Sequence, residues 1–335
     1  MLYIMLFPKM IAGPIVRFHE IAEQLTDRAA FETVDHKLAG LFRFVLGLAK
    51  KVLIANVLGE QADHIFGMVL HGEPDHIFGT EPALVTAPLA WLGAVCYTFQ
   101  IYFDFSGYSD MAIGLGRMIG FQFPENFNNP YISRSITEFW QRWHITLGRW
   151  MRDYLYIPLG GNRVSTGRLY ANLWTVFILS GFWHGAAWNF IAWGAFHGLF
   201  LVLDRLFLLR LSKRLGPLSI LPTFLITVVG WVLFRAESLT DALRYVQHMF
   251  TGPLFTDRPF PYYTTRFWLT LGLAAVFSFA AAIPRIERRE LAILAHSQLR
   301  GREAVALGIA SSILLVLSVM YIVGSNFNPF IYFRF

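Results

Sequence analysis

Ser180-Gly181-Phe182-Trp183-His184-Gly185-Ala186-Ala187-Trp188 sets one imidazole between two long apolar runs, 169–183 and 186–208. A titratable side chain flanked by membrane-compatible sequence is costly to keep, which marks His184 as a functional position. Histidine titrates near neutrality, so proton transfer is the first chemistry to consider. Similar runs recur along the chain. At about 17–25 mostly apolar residues per crossing, the sequence predicts seven spans, at 38–58, 83–103, 169–183, 186–208, 217–235, 266–283 and 303–323. Composition agrees: 55% of the 335 residues are hydrophobic, 15% are charged, and mean hydropathy is +0.47. These values exclude an ordinary soluble domain. The expectation is an all-α polytopic membrane protein, one domain over 1–335, with re-entrant or amphipathic helices on its inner side. Met1 to Pro8 is too short and lacks the basic leader of a signal peptide.

Charge sets the orientation, because cytoplasmic loops retain Lys and Arg. With a cytoplasmic N-terminus, 20 of the 28 Lys and Arg fall inside and five outside, while Arg43, Lys50 and Lys51 lie within the first span. Loop 59–82 holds five acids and no Lys or Arg, as an outer loop would. Topology thus explains the pI of about 9.5, and nucleic-acid binding has no support. The single cysteine, Cys96, excludes an internal disulfide framework.

The inner stretch 104–168 is dense in aromatic, Gly, Asn and Arg residues. Gly107 is expected to break the helix there and Ser109 to cap the next one. Asp104 and Asp110, at the membrane edge, could bind a cation or orient a substrate; capping is the favoured role. After the turn-rich Phe121–Pro130, Ser135-Ile136-Thr137-Glu138 matches a capping box and starts a helix. On a helical wheel Trp140, Trp143, Leu147, Trp150, Met151 and Tyr154 form one stripe, opposite Glu138, Arg142, Arg149 and Arg152. Two readings stay open: an interfacial helix with solvated arginines, or an arginine face that meets an anionic acyl carrier or cofactor. His144 falls at the edge of the stripe, away from water, as either a packing residue or a catalyst. His197 is set aside: in one helix over 186–208 it stands roughly 20 Å from His184. The remaining histidines, at 19, 36, 64, 71, 76, 248 and 296, have no ligand-like spacing, so no metal is expected.

Five motifs in order then carry a resemblance: Phe7–Pro14, Tyr102–Met111, Glu125–Tyr131, Ser135–Gly148 with Arg152–Asn162, and Trp183-His184-Gly185, with Phe330–Phe335 closing the chain. The sequence resembles the membrane-bound O-acyltransferase family over essentially its whole length, and most closely its bacterial alginate O-acetyltransferase branch. That resemblance implies a helical bundle with a tunnel to a central histidine, His184, and a second polar position at His144. It implies acyl donor from the cytoplasm, acceptor on the outer side, an inner-membrane location, and periplasmic polysaccharide O-acetylation proteins or an acyl carrier protein as partners. The family normally carries further spans before the Phe-Pro motif, which here begins at residue 7, so the chain is expected to be a truncated frame or a short variant.

The implied reaction passes an acyl group from a thioester, acetyl-CoA or an acyl carrier protein, to a hydroxyl, with no tightly bound cofactor. A neutral imidazole removes the hydroxyl proton as the oxygen attacks. No Ser or Cys nucleophile is then needed, and Cys96 is expected to be a buried small hydrophobe. Oxyanion donors could be Trp183, Asn189 or His144. Candidate substrate contacts are Asp104, Ser106, Tyr108 and Asp110, then Asn126, Asn128, Arg142, Trp143 and Arg149, and finally Trp183 and Asn189. Two other functions remain: a D-alanyl transferase for wall polymers, which would share the histidine, and a non-catalytic export or transport partner, against which no internal repeat is found.

Overall fold

The computed structural model describes residues 2–72, 85–255, 264–295 and 301–324, and all its regular structure there is helical. Two short helices, α1 (Leu2–Met5) and α2 (Phe18–Thr26), precede a rod that sets the architecture. In the rod α3 (Val34–Ala49) passes through one π-helical stretch, Lys50–Ala55, directly into α4 (Asn56–His71). Packed antiparallel on it is α5 (Ala87–Met118), whose 32 residues extend about 48 Å at 1.5 Å per residue. Glycines make the crossing close. A Cβ on Gly114 would sit 2.6 Å from the Gly40 carbonyl oxygen, and one on Gly107 2.7 Å from that of Gly47. Small residues at such contacts let helix backbones meet, which compensates in a membrane for the missing hydrophobic drive.

This packing corrects two expectations. Gly107 does not break a helix and Ser109 does not cap one, because both lie in the middle of α5; the glycine is there for the approach of Gly47. The helix of the first span does not end at 58. It runs to His71, so Glu60 and Asp63 of the expected outer loop are helical, while Glu73, Asp75, His76 and Glu81 lie outside the described residues.

Two short helices follow, α6 (Ile136–Arg142) and α7 (Ile145–Met151), then a helical hairpin of α8 (Thr166–His184) and α9 (Trp188–Leu203). The hairpin is again closed by glycines, Gly181 against the Phe190 carbonyl and Gly194 against that of Phe177. α10 (Leu209–Leu215) ends at Gly216, whose φ of +57° turns the chain into α11 (Ile220–Arg235). The chain closes with α12 (Leu239–Thr251), α13 (Thr265–Phe279), α14 (Pro284–Ala295) and α15 (Gly301–Gly324). Among the described residues, three helical stretches are long and apolar enough to cross a membrane: Trp188–Arg235, Thr265–Ala282 and Gly301–Gly324. Charged side chains within α3, the π-helical stretch and α5 explain why that rod and its partner read as less apolar. The expected single helix from Ser135 to Tyr154 is two, broken at His144, whose φ is +44°. Its stripe is therefore split: Trp143 is in the core, whereas Trp150 and Tyr154 are exposed. Only half of the expected capping box forms: Ser135 Oγ accepts the Glu138 N–H, while the Glu138 carboxylate takes the Arg134 N–H and Arg142 instead of the Ser135 N–H.

Candidate active site

The break at His144 is what places its ring. A left-handed conformation is unfavourable for a side chain with a Cβ, and it persists only when the surroundings over-determine it. Here Asn126 supplies the constraint: its carbonyl accepts the Ile145 N–H at 2.9 Å, and its side-chain Oδ1 contacts Thr146 N at 3.2 Å, Thr146 Oγ1 at 2.9 Å and His144 Nδ1 at 3.1 Å. The Asn126 Nδ2 in turn donates to Ser109 Oγ on α5, and Thr146 Oγ1 accepts the Ile15 N–H. Phe105 of α5 closes on the imidazole edge-on at 4.8 Å. Burial, with the neighbouring His184 imidazole adding to it, pushes the His144 imidazole down to about 3. It is a neutral ring at physiological pH.

His184 stands at the C-terminal end of α8, where the chain leaves the helix through extended Gly185. Its ring meets Trp183 at 4.8 Å, Trp193 of α9 at 5.2 Å and Phe234 of α11 at 5.2 Å. Three helices therefore converge on it. Trp193 also faces Trp140 of α6 at 5.6 Å and His197 at 5.3 Å. One tryptophan ring thus separates His184 from His197, against an expected separation of roughly 20 Å. The expectation failed because the helix does not run through 185–187 and the His184 side chain leans onto the flank of α9. His197 is wholly buried among Phe139, Trp140, Trp193 and Phe196.

A cavity of about 430 Å³ lies between α6, α7 and α8. His144, Trp140, Phe177 and Ser180 line it, with Arg149, Arg152 and Tyr156 also in its wall. Asn126 stands on the other side of His144, in the wall of a second cavity of about 250 Å³ that also includes Arg43, Lys50, Ser106, Asp110, Glu125 and Asn128.

The acids of α5 do not cap. Asp110 holds Arg43 at 2.6 Å and Lys50 at 2.7 Å, Glu125 holds Arg43 at 2.6 Å, and Asp104 holds Lys51 at 2.9 Å. The favoured capping role is overturned because both acids lie within a continuous helix, where no free N–H groups await them. Arg43, Lys50 and Lys51 were visible as charges inside an apolar run, which is itself a signal of pairing or function. What was missing was their partners, more than fifty residues away.

The other sequence candidates divide. Ser106 and Asn128 line the smaller cavity and Arg149 the larger. Arg142 is not a solvated face: it pairs with Glu138 and with Glu287 of α14, both at 2.9 Å. Trp143 is a core residue, 4.7 Å from Trp231. Tyr108 donates to the Met10 carbonyl and Asn189 to that of Ala236, so neither reaches the histidines through those groups. Trp183 is half exposed beside His184. Trp140, Trp193 and Arg152 belong to the site neighbourhood and were not singled out as contacts from sequence.

Comparison with known proteins follows the same lines. Residues 1–234 match the model of the membrane-bound O-acyltransferase family. The protein named "Probable alginate O-acetylase AlgI" in Azotobacter vinelandii is 42% identical, over 99% of this chain and 69% of its own length. Its namesake in Pseudomonas aeruginosa is 50% identical over 74% of this chain and 45% of its own length. A Helicobacter pylori protein named "Peptidoglycan O-acetyltransferase" is 42% identical over 74% of this chain and 46% of its own. This chain belongs to the membrane-bound O-acyltransferase family.

Proposed function

We propose that the chain transfers an acetyl group from a cytoplasmic thioester to hydroxyls of an exported polysaccharide, with His184 as general base. The observation that carries this reading is the neighbourhood of two imidazoles, one on the wall of the 430 Å³ cavity and the other at the end of the helix that forms another wall. Neutral imidazole takes the proton of the acceptor hydroxyl as its oxygen attacks the thioester carbon. The tetrahedral intermediate expels the thiolate, which takes that proton from the imidazolium and leaves as thiol. The cavity, lined largely by apolar side chains, supplies a chamber for the donor arm. In the orientation set by the Lys and Arg bias, the donor arrives from the inner side of a bacterial cytoplasmic membrane and the polymer is handled outside, with periplasmic O-acetylation proteins as downstream partners.

The donor side gives a direct test. Of the arginines suggested by sequence, Arg149 lies in the cavity wall with Arg152, which also pairs with Asp153 at 2.6 Å. Reversing both to Glu should raise the KM for acetyl-CoA or an acidic acyl carrier at least tenfold at low salt, because contacts to phosphate are charge-assisted. The defect should shrink as ionic strength rises, since exposed charges are screened over about 8–10 Å. An unchanged KM at low salt in well-expressed protein removes the docking role.

A second reading has its own support, since a Streptococcus thermophilus protein named "Teichoic acid D-alanyltransferase" is 31% identical over 60% of this chain and 48% of its own length. D-alanyl transfer would use the same histidine and differ only in donor and acceptor.

A further inference from the structure

We propose that Asn126 is the positioning residue of the site, its side-chain oxygen holding His144 in the Nδ1–H tautomer so that Nε2 carries the free lone pair. The inference rests on the acyl-transfer reading for its kinetic consequence, but its structural content stands without it. The assignment follows from one donor whose role cannot be exchanged. A backbone N–H can only donate, so the Asn126 atom that faces Thr146 N at 3.2 Å is the amide oxygen. The other amide atom, Nδ2, then donates to Ser109 Oγ at 3.1 Å, a hydroxyl able to accept from it. His144 Nδ1 faces that oxygen at 3.1 Å and must itself be the donor. A neutral imidazole carries one N–H, so Nε2 is the acceptor.

Asn126 is wholly buried and bound on every polar edge. No competing solvent can rotate it. It also fixes the left-handed turn, since its main chain and side chain together take the N–H groups of Ile145 and Thr146. The nearby charged and titratable groups are His184 of α8, which acts on His144 directly, Arg149, Arg152 and Tyr156, which share the larger cavity with it, and Arg43, Lys50, Asp110, Glu125 and Glu290, which share the second cavity with Asn126. Phe105, edge-on from α5, carries no charge.

The test uses the full chain in lipid, with labelled acetyl-CoA as donor. Asn126→Ala should lower kcat by about 10–100-fold, the usual scale for losing a group that orients a functional histidine, with the donor KM unchanged within about twofold. Asn126→Asp keeps an oxygen for all three donors and adds a charge. It should restore kcat at high pH while moving the His144 ring titration up by about 1–3 pH units, as a carboxylate within hydrogen-bond reach does. Activity of Asn126→Asp should then be lost at higher pH than in the wild-type chain as acid is added. A purely structural role predicts that the ¹⁵N shifts of the His144 ring report the same tautomer in Asn126→Ala as in the wild-type chain, and that result overturns the proposal; the titration shift alone reports only that the carboxylate reaches the ring. If Asn126→Asp does not fold, ring ¹⁵N shifts of His144 in the wild-type chain decide the matter: an Nδ1–H, Nε2-acceptor pattern supports the proposal and the opposite tautomer ends it. That readout needs no turnover, so failure of acyl transfer and failure of the tautomer assignment are separate results.

Discussion

His184→Ala should abolish acyl transfer while leaving the chain inserted and folded. General-base assistance contributes about 10²–10⁴-fold, and the alternative nucleophile, Cys96, is wholly buried within α5. The structural cost is small. His184 is half-buried, terminates α8 and contributes edge-on ring contacts, with no hydrogen bond to another element among the described residues; alanine is a favourable helix residue. Transfer rate per folded chain should therefore fall by at least about 10²-fold with an unchanged thermal midpoint. A rate within a few-fold of wild type would remove His184 from the mechanism.

The second large effect concerns folding. Asp110→Ala should destabilise the chain by about 3–5 kcal/mol, the cost of removing one partner from a buried ion pair. Asp110 is 4% exposed and is shared between Arg43, itself 3% exposed, and Lys50. Its loss leaves Arg43 to Glu125 alone at a helix crossing closed by the glycine contacts. Glu32→Ala is the matched control. Its pair with Arg28 is solvent-exposed and joins neighbouring turns, so about 0–1 kcal/mol is expected. Thermal unfolding in detergent checks both, and similar midpoints for the two variants would show that the buried network contributes no stability.

How far the sequence could be read depends on the range of each interaction. The N-cap at Ser135 and the apolar runs ending at His184 and starting at Trp188 are local signals, and they predict what the chain does there. Gly107 is different. Glycine serves helix breaks and close approaches alike, and only Gly47, sixty residues away, decides between them. The pairing of Asp110 with Arg43 and Lys50 is equally non-local: charges on two helices match only when the register of the crossing is known. His144 misled for another reason. The apolar periodicity continues from Trp140 through Trp143 to Leu147 as though the helix were unbroken, and the left-handed residue that interrupts it is held by Asn126 in a separate loop.

Acyl transfer itself is the central claim. Membranes containing the chain and an acceptor polysaccharide should be supplied in parallel with acetyl-labelled acetyl-CoA and with a D-alanyl-loaded carrier protein, and alkali-labile ester label on the polymer measured. Label from the acetyl donor that disappears in His184→Ala membranes is the predicted result. Ester label that persists unchanged without His184, or that comes from the D-alanyl donor alone, would contradict it.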